Sequence, residues 1–317
     1  MTDNYIIDVH HHILPPDYIK VVGDARIGPL LVSGRTPEWN VNLSIEAMDR
    51  NGIATAITSI SAPGLWFGDR EETRILARHC NDYAAAIRRD RPGRFGMFAC
   101  LPLPDVEASL KEIDYALDVL DAEGIGLLTS YGDRYPGDPA FQPIFDELDR
   151  RKAIVFFHPT AAQCSQCLEQ IPAATLEFPF DTTRAITSLL YGGTFARCRN
   201  ISFIFSHAGG AVPFLAERIA RLAVKREFGR HVPDGVVPEL QRLYYDTALS
   251  ANRYAFRSLL ELVPPAQVLF GSDYPFAPEA TMTATIRELG NLGLRPEDRR
   301  AIERENALRL LPRMKSA

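Results

Sequence analysis

Residues 5–16 read YIIDVHHHILPP. An apolar run enters three consecutive histidines, and two prolines close the stretch. The chain has seven histidines in 317 residues, so three together at the end of a strand-like run need a chemical reason. In an extended strand, side chains two apart share a face. His10 and His12 therefore point one way and His11 the other.

Similar apolar, β-rich runs recur downstream. With YIIDVH (5–10), the strand candidates are ATAITSIS (54–61), RFGMFACLPL (94–103), GIGLLTSY (124–131), AIVFFHP (153–159), ISFIFSHAG (201–209), LYYDTAL (243–249) and QVLFGSDYPF (267–276). Several are nearly continuous apolar runs, the pattern of strands buried on both faces of a parallel sheet. Amphipathic stretches lie between them. Residues 106–124 place Leu110, Ile113, Leu117 and Leu120 at helical spacing and reach Gly124, read as a C-cap. Residues 140–151, 212–226 and 296–311 have the same character. Eight strands alternating with helices, without repeats or low-complexity linkers, predict one (β/α)8 TIM barrel over residues 1–317. Residues 13–50, rich in Gly and Pro with a weak period, read as a long loop or small insertion after strand one.

Composition sets the class. Apolar residues make up 46% and charged residues 24%, typical of a soluble globular protein. A net charge of −5 argues against nucleic acid or an anionic membrane as the main partner. Five scattered cysteines imply no disulfide framework. No basic stretch leads into an apolar signal region, and no run approaches a membrane span. The expected compartment is the cytoplasm.

The chemistry gathers at strand ends. Strand one ends in Asp8-Val9-His10-His11-His12, strand five in His158-Pro159, strand six in Ser206-His207-Ala208-Gly209-Gly210, and strand eight in Gly271-Ser272-Asp273-Tyr274-Pro275. In a (β/α)8 barrel the C-terminal strand ends ring one mouth. His10, His12, His158 and Asp273 would then meet as metal ligands. Three imidazoles and one carboxylate suit Zn²⁺ at roughly 2.0–2.2 Å, with Mn²⁺ or Mg²⁺ as other candidates, and a water in the open position would ionise near neutrality. His207 would remain beside the metal as an acid/base group. Each signal alone has a plainer reading: H-x-H as two strand histidines, His158 as a core histidine, His207 as a turn cap. Four of seven histidines at predicted strand ends outweigh it. His11 is expected to be structural, and His79 and His231 are not expected to be ligands.

D-x-H-x-H-x-x-P, the HP after strand five, SHAGG and GSDYPF together resemble the metal-dependent amidohydrolase superfamily, in particular its branch containing aminocarboxymuconate semialdehyde decarboxylase. The likeness runs through MDRNGIATAITS (48–59), RFGMFACLPL (94–103) and DTTRAI (181–186). It implies a distorted (β/α)8 barrel holding one Zn²⁺ on His10, His12, His158 and Asp273. His207 would activate the metal-bound water or protonate the substrate. It implies two arginines gripping a substrate carboxylate: Arg35, and Arg218, which would reach into a neighbouring subunit's site, so that the active enzyme is expected to be at least a dimer, most simply a homodimer. Strand four has no lysine to bridge a second metal. His10, where other members of the branch carry Glu, places the chain nearer the semialdehyde and methylsalicylate decarboxylases.

The expected reaction is a zinc-dependent, non-oxidative decarboxylation of a small aromatic or dienic carboxylic acid. An ortho-hydroxybenzoate such as 6-methylsalicylate leads, and an aminocarboxymuconate semialdehyde-like acid follows. Asp273 would join His207 in relaying the proton. Trp66 and Phe67, in SAPGLWFGD (61–69), are candidates to stack on the substrate, or core aromatics. Tyr131, Asp133, Arg134, Phe178, Phe180, Asp181 and Arg184 are weaker candidates for contact with it. Hydrolysis of a lactone, ester or amide at the same metal is the alternative, because ligands alone do not fix the reaction. A redox role for Cys164-x-x-Cys167 is a third reading, resting on a lone CxxC.

Overall fold

The computed structural model describes residues 5–161, 168 and 170–316. Its strands are β1 (Ile6–His12), β2 (Ile53–Ser59), β3 (Phe95–Cys100), β4 (Gly124–Leu128), β5 (Ile154–His158), β6 (Ser202–Phe205), β7 (Tyr244–Asp246) and β8 (Val268–Leu269). They pair in sequence order, each parallel to the next. Beyond β8 the chain returns to β1 through backbone bonds: Val9 N to Phe270 O at 3.0 Å, Asp273 N to His10 O at 2.8 Å and His12 N to Tyr274 O at 2.7 Å. The architecture is the expected (β/α)8 barrel. Its distortion lies where β7 and β8 shrink to three and two residues and irregular backbone completes the wall.

Inside the barrel, Ile7, Val9, Ile57, Phe98, Phe156, Ile204 and Leu269 form one buried cluster, closed below by Ala307, Leu311 and Met314 of the C-terminal segment. A larger cluster lies between barrel and helices. Strand β1 changes face midway. Its register against β2 shifts between Asp8 and His11, a bulge that inserts one residue. Val9 belongs to the interior cluster and the next residue, His10, sets its ring 5.0 Å from Phe156. Simple alternation would have put Asp8 on the same side as His10. The bulge turns Asp8 toward His11 instead, where its Oδ2 meets His11 Nδ1 at 3.0 Å.

The helices between strands include Val41–Arg50, Arg70–Asp90, Gln142–Arg150, Ala173–Tyr191, Val212–Ala220, Arg253–Leu262 and Glu279–Asn291. Asn40, Asp69, Asp105 and Asn252 each accept a backbone N–H at a helix start, worth about 1 kcal/mol apiece.

Residues 13–50 hold more helix than the loop expected. Short helices span Pro16–Val22 and Asp24–Ile27, and Val41–Arg50 is the regular helix between β1 and β2. Its short amphipathic repeat was masked by the Gly- and Pro-containing stretch before it. Gly124 is not a helix cap but the first residue of β4; the helix before it passes through a wider π turn and ends by Leu120. A Cβ at Gly124 would lie 2.5 Å from Ile154 O, so glycine there serves the close approach of β5. Among the described residues, no helix is long and apolar enough to cross a membrane.

Candidate metal centre

The strand ends bring His10, His12, His158 and Asp273 together, all buried, with one ligand atom from each lying within 4.8 Å of the others. His10 Nε2 is 3.0 Å from His12 Nε2. Asp273 Oδ1 is 3.3 Å from His10 Nε2, 3.0 Å from His12 Nε2 and 3.8 Å from His158 Nε2. Four ligands bound tetrahedrally at ~2.1 Å would be ~3.4 Å apart, close to these spacings.

Each imidazole is oriented from behind. His10 Nδ1 meets Asp246 Oδ2 at 2.7 Å, His12 Nδ1 meets Ser59 O at 3.2 Å, and His158 Nδ1 meets Pro159 O at 2.8 Å. With Nδ1–H donated outward in every ring, each Nε2 keeps its lone pair toward the centre. That arrangement fixes tautomer and ring angle in metal sites. Asp273 Oδ1 is buried without a hydrogen-bond partner. Three lone pairs and a carboxylate oxygen facing one point would repel, and a divalent cation resolves the conflict. The donor set therefore fits a divalent metal.

The electrostatics agree. Burial works against charge on His10, but Asp246 and Asp273 outweigh it and raise its pKa to about 10. Burial lowers His12 and His158, and neighbouring histidines add to the effect. Burial also opposes ionisation of Asp273. Its contacts with His10, His12 and His158 nevertheless hold it well below the usual carboxylate range. With no cation bound, a proton on His10 would balance the ionised Asp273 while burial keeps His12 and His158 from charging; a divalent metal would displace that proton and leave the His10 Nε2 lone pair free to bind it.

His207 stands over this group. Its Nε2 is 3.4 Å from Asp273 Oδ2, its ring is 5.1 Å from that of His10, and its Nδ1 is buried without a partner. His207 and Asp273 both have left-handed backbones, at φ 53° and 63°. Such conformations cost of order 1–3 kcal/mol in non-glycine residues and recur at functional sites. The glycines of SHAGG permit the turn: a Cβ on Gly210 would sit 2.0 Å from Pro179 O. Gly271 has a comparable reason. A Cβ there would lie 2.8 Å from His10 Cβ and 3.0 Å from Asp246 Cγ.

Two carboxylates in this assembly have no role in the sequence reading. Asp246, fully buried at the end of β7, accepts from His10 Nδ1 and, through Oδ1, from the backbone N–H groups of His207 and Ala248, both at 2.9 Å. Asp8 accepts from the backbone of His10 and Ser272 and from Ser272 Oγ. The signal for Asp246 was present, since it is a lone acid breaking the apolar strand LYYDTAL. His11 bonds Asp8 and, through Nε2, Ser44 Oγ at 2.6 Å, on the face away from the centre.

The remaining candidates divide. Trp66 and Phe67 are half-buried in the wall of a cavity of about 420 Å³. It runs along the C-terminal ends of β2 to β5, and its wall contains none of the four ligands. It adjoins them through Ile60, which follows the Ser59 that holds His12, and through Thr160, two residues past His158. Tyr131 lines it too, whereas Asp133 and Arg134 are exposed. Phe178 sets its ring 6.0 Å from His158, and Phe180 is partly exposed. Asp181 is buried, with Arg184 Nη1 at 3.9 Å. Arg35 and Arg218 are exposed and, among the described residues, make no ion pair or hydrogen bond through their guanidinium groups. His79 pairs with Asp17 at 3.6 Å, and His231 lies beside Arg230. Cys164 and Cys167 lie outside the described residues.

A family model described as amidohydrolase matches residues 7–313. The chain belongs to the amidohydrolase family. Within that family, the 6-methylsalicylic acid decarboxylase of Penicillium expansum is 37% identical over 98% of this chain and 97% of its own. A crystal structure of an amidohydrolase II protein superposes with a TM-score of 0.89 at 29% identity, covering 97% of this chain and 99% of that one. The 5-carboxyvanillate decarboxylase of Novosphingobium aromaticivorans, solved with manganese and a nitrobenzoic acid, shares the fold. Its TM-score is 0.84 at 19% identity, covering 98% of this chain and 99% of that one.

Proposed function

We propose that the protein is a metal-dependent, non-oxidative decarboxylase of a small aromatic carboxylic acid, with an ortho-hydroxybenzoate such as 6-methylsalicylate as substrate. The carrying observation is the buried three-histidine, one-aspartate centre with His207 beside it, in a chain that aligns end to end with a 6-methylsalicylic acid decarboxylase. His10, His12, His158 and Asp273 hold one Zn²⁺; imidazole-rich donor sets favour it, and the manganese of the carboxyvanillate enzyme makes Mn²⁺ the competitor.

When bound, the cation supplies positive charge that stabilises electron density developing on the substrate. The chain's own residues do the rest. Asp246 holds His10 and the His207 backbone in one frame. In the reaction the ring–carboxyl bond breaks, its electron pair stays with the ring carbon, and that carbon takes a proton as CO₂ leaves. His207 is the proton donor, and Asp273, 3.4 Å away, positions it. Trp66 and Phe67 stack on the ring.

Arg35 and Arg218 grip the carboxylate through two-pronged donors, Arg218 from a neighbouring copy in a homodimer. Its guanidinium, without a partner among the described residues, supports this reading. So does its surface: Phe214, one turn before it, is 83% exposed, and Val224 and Tyr254 are 87% and 75% exposed. A contact between copies over this surface would cover these apolar side chains. The net charge, the scattered cysteines and the absence of a spanning helix among the described residues favour the cytoplasm.

The test is product analysis of metal-loaded enzyme. CO₂ and a phenol from an ortho-hydroxybenzoate are expected. Metal-dependent opening of lactones, esters or amides without CO₂ would make the protein a hydrolase instead.

A further inference from the structure

Strand β4 presents a glycine to the inside of the barrel where nothing in the backbone asks for one. Ile125 and Leu127 pack outward among the helices, so by strand alternation Gly126 between them faces inward. It keeps accessible surface in mid-strand and lines the cavity of about 420 Å³. Glycine inside a strand weakens it, and it marks places where another backbone or a ligand comes close.

The neighbouring glycines have conformational or steric reasons. Gly64, Gly68 and Gly132, in the same cavity wall, have φ of 78°, 101° and 65°, a region that strains other residues. Gly124 makes way for Ile154 O. Gly126 has neither reason. Its φ is not positive. A Cβ built on it would find Phe98 Cβ and O at 3.5 Å and Ser59 Cβ at 3.8 Å as its nearest neighbours, which are ordinary contact distances. The fold leaves room for a side chain there and the sequence omits it, so the space is free for a ligand.

Its position says which part of a ligand enters. Ser59 carries the carbonyl that holds His12, so Gly126 stands at the metal end of the cavity. With the substrate carboxylate toward the cation, a substituent ortho to the carboxyl is the ring group nearest that end. Leu65, Leu101, Leu103 and Leu128 make the wall beyond it hydrocarbon, which selects an apolar substituent. The cavity is also large for one methyl group. At about 420 Å³ it lies in the range that encloses drug-sized ligands, and apolar space left unfilled forfeits contacts.

We propose that Gly126 is a specificity residue, kept without a side chain so that the cavity admits an alkyl chain of several carbons ortho to the substrate's carboxyl. The preferred substrates are then 6-alkylsalicylates with a chain longer than methyl. This inference rests on the decarboxylase reading.

The experiment compares metal-loaded wild type, Gly126→Ala and Gly126→Val on 6-methyl-, 6-propyl- and 6-pentylsalicylate. A buried methylene is worth about fourfold, so wild type should favour the pentyl over the methyl acid by at least about tenfold in kcat/KM. That preference should fall stepwise toward parity through the alanine and valine variants. Wild-type parity, or an undiminished preference in the variants, would overturn the proposal. Thermal unfolding of Gly126→Ala separates it from a structural role and needs no valine variant. A Tm at or above that of wild type is expected, because alanine loses less freedom than glycine on folding; a lower Tm would mean that the strand itself needs glycine and would overturn the proposal. If no acid releases CO₂, the decarboxylase reading fails by itself. Binding of 3-methylphenol and 3-pentylphenol then decides the chain site: tighter binding of 3-pentylphenol, weakened in the variants, upholds it, and equal binding removes it.

Discussion

Asp246 ties the two kinds of histidine in the centre together. It holds a metal-facing imidazole with one oxygen and the backbone of His207 with the other. Asp246→Asn is nearly isosteric but weakens the His10 contact and places an amide against one of the two N–H donors. Partners of this kind are typically worth about 10–100-fold in metal affinity or activity. The expected result is a rise of that size in the metal dissociation constant with an unchanged far-ultraviolet circular dichroism spectrum. Unaltered metal affinity would remove Asp246 from the account. His10, His12 and Asp273 were legible in the sequence because alternation along a strand and the mouth of a barrel follow from short motifs. Asp246 was not, because its link to His10 joins residues 236 positions apart. A lone acid in a strand does not announce its partner.

Elements carry the site by how closely they pass each other. Where β8 gives way to irregular backbone, Gly271 runs against His10 and Asp246 at distances that leave no room for a methyl group. Gly271→Ala should push that pair apart, weakening metal binding at least about tenfold, the scale of losing a ligand's supporting contact. Titration of the purified variant with metal would show it, and wild-type affinity would mean the strand yields elsewhere. The β1 bulge is the other device. It lets Val9 and His10 both face inward and turns Asp8 out to His11 and Ser272. Strand-type and strand order were readable from apolar runs. The bulge was not, since it is set by pairing with β2 and β8 rather than by local preference. The Val41–Arg50 helix was hidden for a related reason: ten residues give too few turns for a clear period, and its start is defined mainly by the Asn40 cap.

For the molecule as a whole, the open question is where Arg218 does its work. In one chain it is exposed and has no partner among the described residues, and Phe214, one turn before it, is exposed as well. In a homodimer built on that surface it would enter the partner's site. Phe214→Asp should shift the protein toward monomer in sedimentation velocity, and Arg218→Ala should raise KM for the acid while leaving the dimer intact. A fully active monomer would contradict this arrangement. The Arg218 side chain was singled out by resemblance, not by spacing or charge, and nothing in one chain's sequence shows the surface it would serve.

The central claim is that one buried centre binds the metal while a separate histidine moves the proton. The most direct measurement is bound metal per chain, taken together with CO₂ release from ortho-hydroxybenzoates, for wild type, His10→Ala and His207→Ala. His10→Ala is expected to lose both metal and turnover. His207→Ala is expected to retain metal and lose about 10²–10⁴-fold in kcat, the range for a general acid. Full turnover by His207→Ala, or full metal content in His10→Ala, would contradict it.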